Sequence, residues 1–400
     1  MIMNIAVAQS GGPSAVINAS LLGVFREARR SGQVQRIFGS RNGIEGIING
    51  NLVDLEDILA TGEDEEILKQ TPAAFLGSCR YKLCEFDSDP SVYETIVSRF
   101  EEYGIGAFFY IGGNDSMDTV AKLSAYMKKV NKNIRVIGIP KTIDNDLAHT
   151  DHTPGFGSAA KYLAVTLSEI TRDISVYNTN AVTVVEIMGR HAGWLAASSV
   201  LLRVNGEIAP HLIYLPETPF SLEKFLSDVR EKQKIHRSLL VVVAEGVGEK
   251  KRANTASDGF GHGQIAGIGK YLEEEIKREI GCKVRSIELN IMQRCSAHLC
   301  SECDISEAEM IGAAGVTAAL EGVSGKMMTF VRTSDQPYTV TFGSVDAGEV
   351  ANKEKTFPTE WISQDGNDVL DSAIPYFLPF IQGEREIICK NGMPLHLVLK

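Results

Sequence analysis

No stretch of this 400-residue chain stays apolar long enough to cross a bilayer, so no transmembrane helix is expected and no membrane partner. Positive charge is also scarce, with 40 Lys and Arg against 51 Asp and Glu, a net charge of -11. That balance argues against a nucleic-acid binder, whose footprint is usually basic. It leaves room for anionic small molecules, because a local cluster of cations can sit on an acidic protein. Low-complexity linkers and short-period repeats are missing, which excludes a repeat array. A basic leader is missing too: Met1 to Ala8 is apolar but lacks the charged n-region of a signal peptide, and it reads as a first buried strand. No full Walker A pattern occurs, so this is not a P-loop enzyme by sequence. Cysteines number seven, an odd count that points to reduced thiols in a cytoplasmic protein rather than to a disulfide framework.

What is present is an ordinary globular composition, 44% hydrophobic and 23% charged, in a length that suits two or three domains. Short apolar runs alternate with amphipathic helical spacing. Asn4 to Ala8, Gly106 to Ile111, Ile134 to Ile139, Val182 to Ile187 and Leu239 to Ala244 are expected as buried strands. Ala15 to Arg29 and Met117 to Val130 carry helical spacing. Strand, glycine turn and helix in repetition predict an α/β fold of mainly parallel sheets. Ligands in such sheets bind beyond the carboxyl ends of the strands, where each motif below falls. The polar stretch Lys250 to Gly263 is expected as a surface loop, and Glu63 to Glu66 as a solvated helix start.

Ser10-Gly11-Gly12 follows the first strand and is expected to open a helix, where backbone N–H groups could receive an anion. A tight turn that binds nothing accounts for it equally well. Gly112-Gly113-Asn114-Asp115-Ser116 repeats the arrangement, with polar groups for phosphate and metal or, alternatively, for capping the helix. Lys141-Thr142-Ile143-Asp144-Asn145-Asp146 sets a cation, a hydroxyl, an amide and two carboxylates at a strand end, and an extended chain there places Asp144 and Asp146 on one side. Phosphoryl transfer to a hydroxyl needs a carboxylate base and positive charge for the moving group. A solvated acidic turn is the bland alternative. Cys295, His298, Cys300 and Cys303 have a spacing too compressed for ordinary zinc sites and read as structural thiols. His191 is expected to cap or pack.

Together with Phe75-Leu76-Gly77-Ser78-Cys79-Arg80, Glu186 to Arg190, Ala244-Glu245-Gly246, Val284-Arg285 and Gln293-Arg294, these segments resemble the phosphofructokinase family from Ile5 to about Trp361. The resemblance implies two similar doubly wound, Rossmann-like domains with the site in the cleft between them. Residues 1–152 with about 295–360 would form the phosphoryl-donor domain, 153–294 the sugar-phosphate domain and 361–400 a C-terminal extension. It implies Asp144 as the base, supported by Thr142 and Asp146, with Gly12 and Gly113 at the donor. Met188, Gly189, Arg190, Glu245 and Arg294 would contact the sugar phosphate, and Arg285 would come from a neighbouring subunit of a homodimer or homotetramer. Magnesium (Mg2+) is the implied cofactor, with Asn114 where the family normally has an Asp ligand.

Two positions separate donors within the family: ATP users usually carry Gly in place of Asp115 and of Lys141, whereas the pyrophosphate users resemble this chain at both. The expected reaction therefore moves a phosphoryl group from inorganic pyrophosphate to the 1-hydroxyl of fructose 6-phosphate, in glycolysis and in the cytoplasm. Ala181, where the family has a subunit-bridging Arg for which Arg172 is a candidate substitute, and Ile291, where it has His or Tyr, are further departures. Three alternatives stay in view: an ATP-dependent kinase of the same fold, sedoheptulose 7-phosphate as acceptor, which Ile291 motivates, and a non-catalytic regulatory subunit, which Asn114, Ala181 and Ile291 motivate.

Overall fold

The computed structural model describes residues 3–248, 253–257, 263–265 and 267–399. Its strands, in chain order, are β1 (Met3–Gln9), β2 (Val34–Ser40), β3 (Leu52–Asp54), β4 (Ile105–Gly112), β5 (Arg135–Pro140), β6 (Ala181–Ile187), β7 (Leu212–Tyr214), β8 (Ser238–Ala244), β9 (Ala253–Ser257), β10 (Gly263–Ile265), β11 (Lys283–Glu288), β12 (Lys326–Asp335), β13 (Tyr338–Asp346), β14 (Cys389–Lys390) and β15 (Met393–Pro394). Seven of them form one sheet in the order β13-β12-β5-β4-β1-β2-β3, parallel except for β3 and β13 at its two edges. Four more form a wholly parallel sheet in the order β11-β6-β8-β7. The fold is thus α/β, with two mainly parallel sheets.

Both faces of the large sheet are covered, which is why its central strands read as continuous apolar runs. Ile5, Val7, Phe109 and Ile111 point into one core, and Ala6, Ala8, Phe108 and Tyr110 into the other. On the first face the helices Ile17–Ser31 and Glu302–Leu320 pack so closely that a Cβ on Gly23 would lie 1.9 Å from the Glu309 carbonyl oxygen. Glycine there permits backbone contact that no other residue allows. The second sheet has its own core, which Phe357, Phe377 and Phe380 from the C-terminal part of the chain complete. The chain then returns to the first domain, where Gln70 donates to the Ile388 and Leu395 carbonyls. No helix among the described residues is long and apolar enough to cross a membrane.

Several local expectations need correcting. The first helix begins at Ile17, so Gly11 and Gly12 lie in a loop and not at its first turn. The helix after β4 begins at Asn114, three residues before Met117, and no side chain caps it. Within the stretch expected as a loop, β9 pairs antiparallel with β10; the rest of that expectation lies outside the described residues. Glu65 and Glu66 are not merely solvated, because both accept from Arg26.

Candidate active site

The carboxyl ends of β1, β4 and β5 meet the loops after β6 and the helical turn Met292–Cys295 around a cleft of about 700 Å³. Parallel pairing brings three motifs side by side: Gln9 registers with Ile111, and Gly112 with Pro140. The ladder extends one bond further as Lys141 N donates to Gly112 O at 3.0 Å. Gly112 is needed because an added Cβ would fall 1.9 Å from Ser116 Oγ.

The first glycine loop is held by the Phe75–Arg80 run. Ser78 Oγ donates to Gly11 O at 2.6 Å, and Gly11 N donates to Cys79 O at 3.3 Å. Lys141 is buried and its Nζ donates to Gly12 O at 2.5 Å. Arg294 reaches the same loop from the other wall, where its Nη1 would stand 3.5 Å from a Cβ on Gly12. Burial disfavours the ammonium and lowers the Lys141 pKa to about 8, although Asp144 and Asp146 oppose the shift.

Beyond Lys141 the chain alternates: Ile143, Asn145 and Leu147 are buried, whereas Thr142, Asp144 and Asp146 face the cleft. Thr142 Oγ1 donates to Asp144 Oδ2 at 3.3 Å and accepts from Asp144 N at 3.1 Å, which fixes the carboxylate against its own turn. Burial raises the pKa of Asp144 despite the Thr142 bond and the nearby Lys141. Burial and the neighbouring Asp144 push Asp146 up to about 7.

Asn114 stands across from Asp146. Its amide is satisfied with Nδ2 donating to the carbonyls of Lys353 at 3.0 Å and Val350 at 3.1 Å. The amide atom facing Asp146 Oδ2, 3.5 Å away, is then the oxygen. Two oxygens facing each other call for a proton or a cation between them. With Asp144 beside them they form an oxygen-only donor set, which fits a hard divalent cation. Asp115 is half exposed and pairs with Lys82 Nζ at 3.0 Å.

On the other wall, Met188, Arg190 and Arg294 line the cleft. Met188 N donates to Gln293 Oε1 at 3.2 Å, tying the loop after β6 to the turn that carries Arg294. Gly246 lies against Arg190, where a Cβ would be 1.8 Å from the Arg190 carbonyl oxygen. Gly246 N donates to Gly189 O at 3.3 Å. Burial, with Asp144 nearby, raises the Glu245 pKa to about 7, and Arg190 opposes this. Arg285 is not brought in: it is exposed on the edge strand β11, away from the cleft.

Sequence reasoning missed Tyr81, Lys82, Asn352 and Glu354, all of which line the cleft, and gave Arg80 no role although it ends a quoted run. His191 neither caps nor packs; it is exposed on the cleft wall. Contiguity with Arg80 and Arg190 could have found Tyr81, Lys82 and His191. No motif marks Asn352 or Glu354.

The chain is similar to known proteins over nearly its whole length. The family pattern described as Phosphofructokinase matches residues 4–319. The pyrophosphate--fructose 6-phosphate 1-phosphotransferase of Methylococcus capsulatus is 38% identical, over 99% of this chain and 96% of its own. The crystal structure of a pyrophosphate-dependent phosphofructokinase from Nitrosospira multiformis is similar with a TM-score of 0.89 at 37% identity, over 98% of this chain and 95% of its own. That of Marinobacter aquaeolei gives 0.87 at 36% identity, over 100% and 98%.

Proposed function

The chain belongs to the phosphofructokinase family, and from that premise we infer that it transfers a phosphoryl group from inorganic pyrophosphate to the 1-hydroxyl of D-fructose 6-phosphate, yielding fructose 1,6-bisphosphate. The observation that carries this reading is the cation of Lys141, seated on Gly12 O and facing Asp144 and Asp146 across one cleft, with Asp115 on the wall. Asp144 takes the proton of the 1-hydroxyl as the bond to phosphorus forms, and the Thr142 bond aims its carboxylate. Lys141, with backbone N–H groups at Gly12 and Gly113, receives the charge of the departing phosphate. Arg190, Arg294 and Glu245, with the backbone at Met188 and Gly189, hold the sugar phosphate.

Asp115 selects the donor by charge. A nucleotide brings an α-phosphate toward this wall, where the Asp115 carboxylate repels it at short range, partly offset by the Lys82 ammonium paired with it. Pyrophosphate has no third phosphate to place there. Magnesium is the proposed cofactor: Asn114 Oδ1, Asp146 and Asp144 would hold it, and when bound it neutralises charge on the phosphate oxygens. We further propose that the enzyme works in the cytoplasm as a homodimer or homotetramer, in which Arg285 of one subunit completes the sugar site of another.

Steady-state assays of the purified protein with pyrophosphate and with ATP test the donor, and fructose 6-phosphate against sedoheptulose 7-phosphate tests the acceptor. Turnover with pyrophosphate and fructose 6-phosphate is expected. Turnover with ATP alone would overturn the reading.

A further inference from the structure

The catalytic turn is held from behind by a segment to which the proposed reaction assigns no step. Residues 350–357 leave the hairpin of β12 and β13 and run past Asp144 to Asp151. The Val350 and Lys353 carbonyls hold the Asn114 amide. Glu354 forms an antiparallel bridge with Leu147, and Lys355 N donates to Asp146 O at 2.6 Å. On its other side the same segment meets the sugar half. Trp194 Nε1 donates to Lys355 O at 2.9 Å. Phe357 N and Gly193 N both donate to Glu217 Oε1 at 2.8 Å.

Lys355 is the centre of this strap. An ammonium has three donors, and here each has an acceptor: Asp151 O at 2.8 Å, Thr150 O at 3.1 Å and Asn145 Oδ1 at 3.5 Å. Asn145 separates the two carboxylates, and its φ of 53° puts it in the left-handed region. Its amide is clamped from both ends, because Nδ2 donates to the Tyr376 hydroxyl at 2.9 Å while that hydroxyl donates to Asp151 O at 2.7 Å. Neither Lys355 nor Tyr376 lines the cleft. Both therefore act on the reaction through the backbone and amide that aim Asp144 and Asp146, and Lys355 also through its charge, which favours the Asp146 carboxylate.

We propose that Lys355 is a positioning residue for phosphoryl transfer, which with Tyr376 locks Asn145 and so fixes the two flanking carboxylates, while its strap ties that turn to the sugar-side loop. The proposal rests on the transferase reading above. A turn held in this way costs nothing to organise when the transition state forms, and loosening it by about 1 Å costs on the order of 100-fold in rate.

The test compares Lys355→Met and Tyr376→Phe with the wild type. Lys355→Met is expected to lower kcat by about 100-fold, with both KM values and the fructose 6-phosphate Kd held within about threefold. Tyr376→Phe, which deletes one hydroxyl and no packing, is expected to lower kcat by about tenfold. The double variant should lose less than the product of the two, because both act on one amide. A folded Lys355→Met enzyme with wild-type kcat, or a loss confined to KM, would overturn the proposal. If that variant does not fold, wild-type kcat in Tyr376→Phe overturns it alone. Failure of the wild type with pyrophosphate would instead count against the transferase reading, and the variants would then be compared on whichever donor the wild type uses.

Discussion

The two walls of the cleft differ less in their scaffold than in how far one chain completes them. On the donor wall, Gly11-Gly12, Gly112 to Ser116 and Lys141 to Asp146 end three neighbouring strands of one sheet, so hydrogen-bond register sets their spacing. Each functional group there is held: Lys141 on Gly12, Asp144 on Thr142, Asn114 on two carbonyls. The sugar wall is scaffolded in the same way, with Met188 to Arg190 and Glu245 after the register-paired strands β6 and β8 and Arg294 beyond β11 on the other side of β6, but Arg285 faces away from it. Proton transfer and charge neutralisation tolerate little displacement, which favours groups held within one chain. Sugar recognition spreads over weaker contacts, and on our reading it waits for a second subunit.

The largest test of this contrast is Asp144→Ser. It is expected to lower kcat by about 100- to 10,000-fold, the usual worth of a positioned base, while calorimetry finds fructose 6-phosphate binding retained. Unchanged kcat would place the base elsewhere. Next, Lys141→Met should lower pyrophosphate turnover by about 100- to 1,000-fold. The same residue sets a pH signature. Activity should fall as Lys141 loses its proton through about pH 8, because the ammonium is the working form. An alkaline limb that persists in Lys141→Met would refute that assignment.

Changing Asp115→Gly together with Lys141→Gly should weaken pyrophosphate use and admit measurable ATP turnover. An unaltered donor preference would show that selectivity lies outside the donor wall. The smallest expected effect is at Arg285→Ala: a rise of about tenfold in the KM for fructose 6-phosphate, with kcat nearly kept. No change there would mean the sugar wall is complete within one chain. That outcome would erase the contrast.

Much of the donor wall was legible because its logic is local. A buried parallel strand announces itself as an apolar run, and the polar residues that follow must sit at its carboxyl end. The expected strand Ile134 to Ile139 and the observed β5 differ by one residue at each end, and that placed Lys141 to Asp146 correctly. The strap at 350–357 was not legible, because its contributions are backbone carbonyls, two N–H groups and one lysine, which no spacing rule marks. Arg26 with Glu65 and Glu66 shows the same limit: charges read as solvated become a network once another helix lies beside them. His191 was misread because an exposed cleft wall and a packed surface look alike in one dimension.

By itself, then, the sequence determined the fold class, the strand ends and the residue types assembled on the donor wall, since side-chain alternation and strand periodicity are properties of a few consecutive residues. Only the tertiary structure decided that Lys141 reaches Gly12, that Asn114 turns its oxygen toward Asp146, that Lys355 backs the catalytic turn and that Arg285 points away. These are contacts between distant segments, and their electrostatic consequences come from desolvation, which exists only once the chain has closed around the cleft.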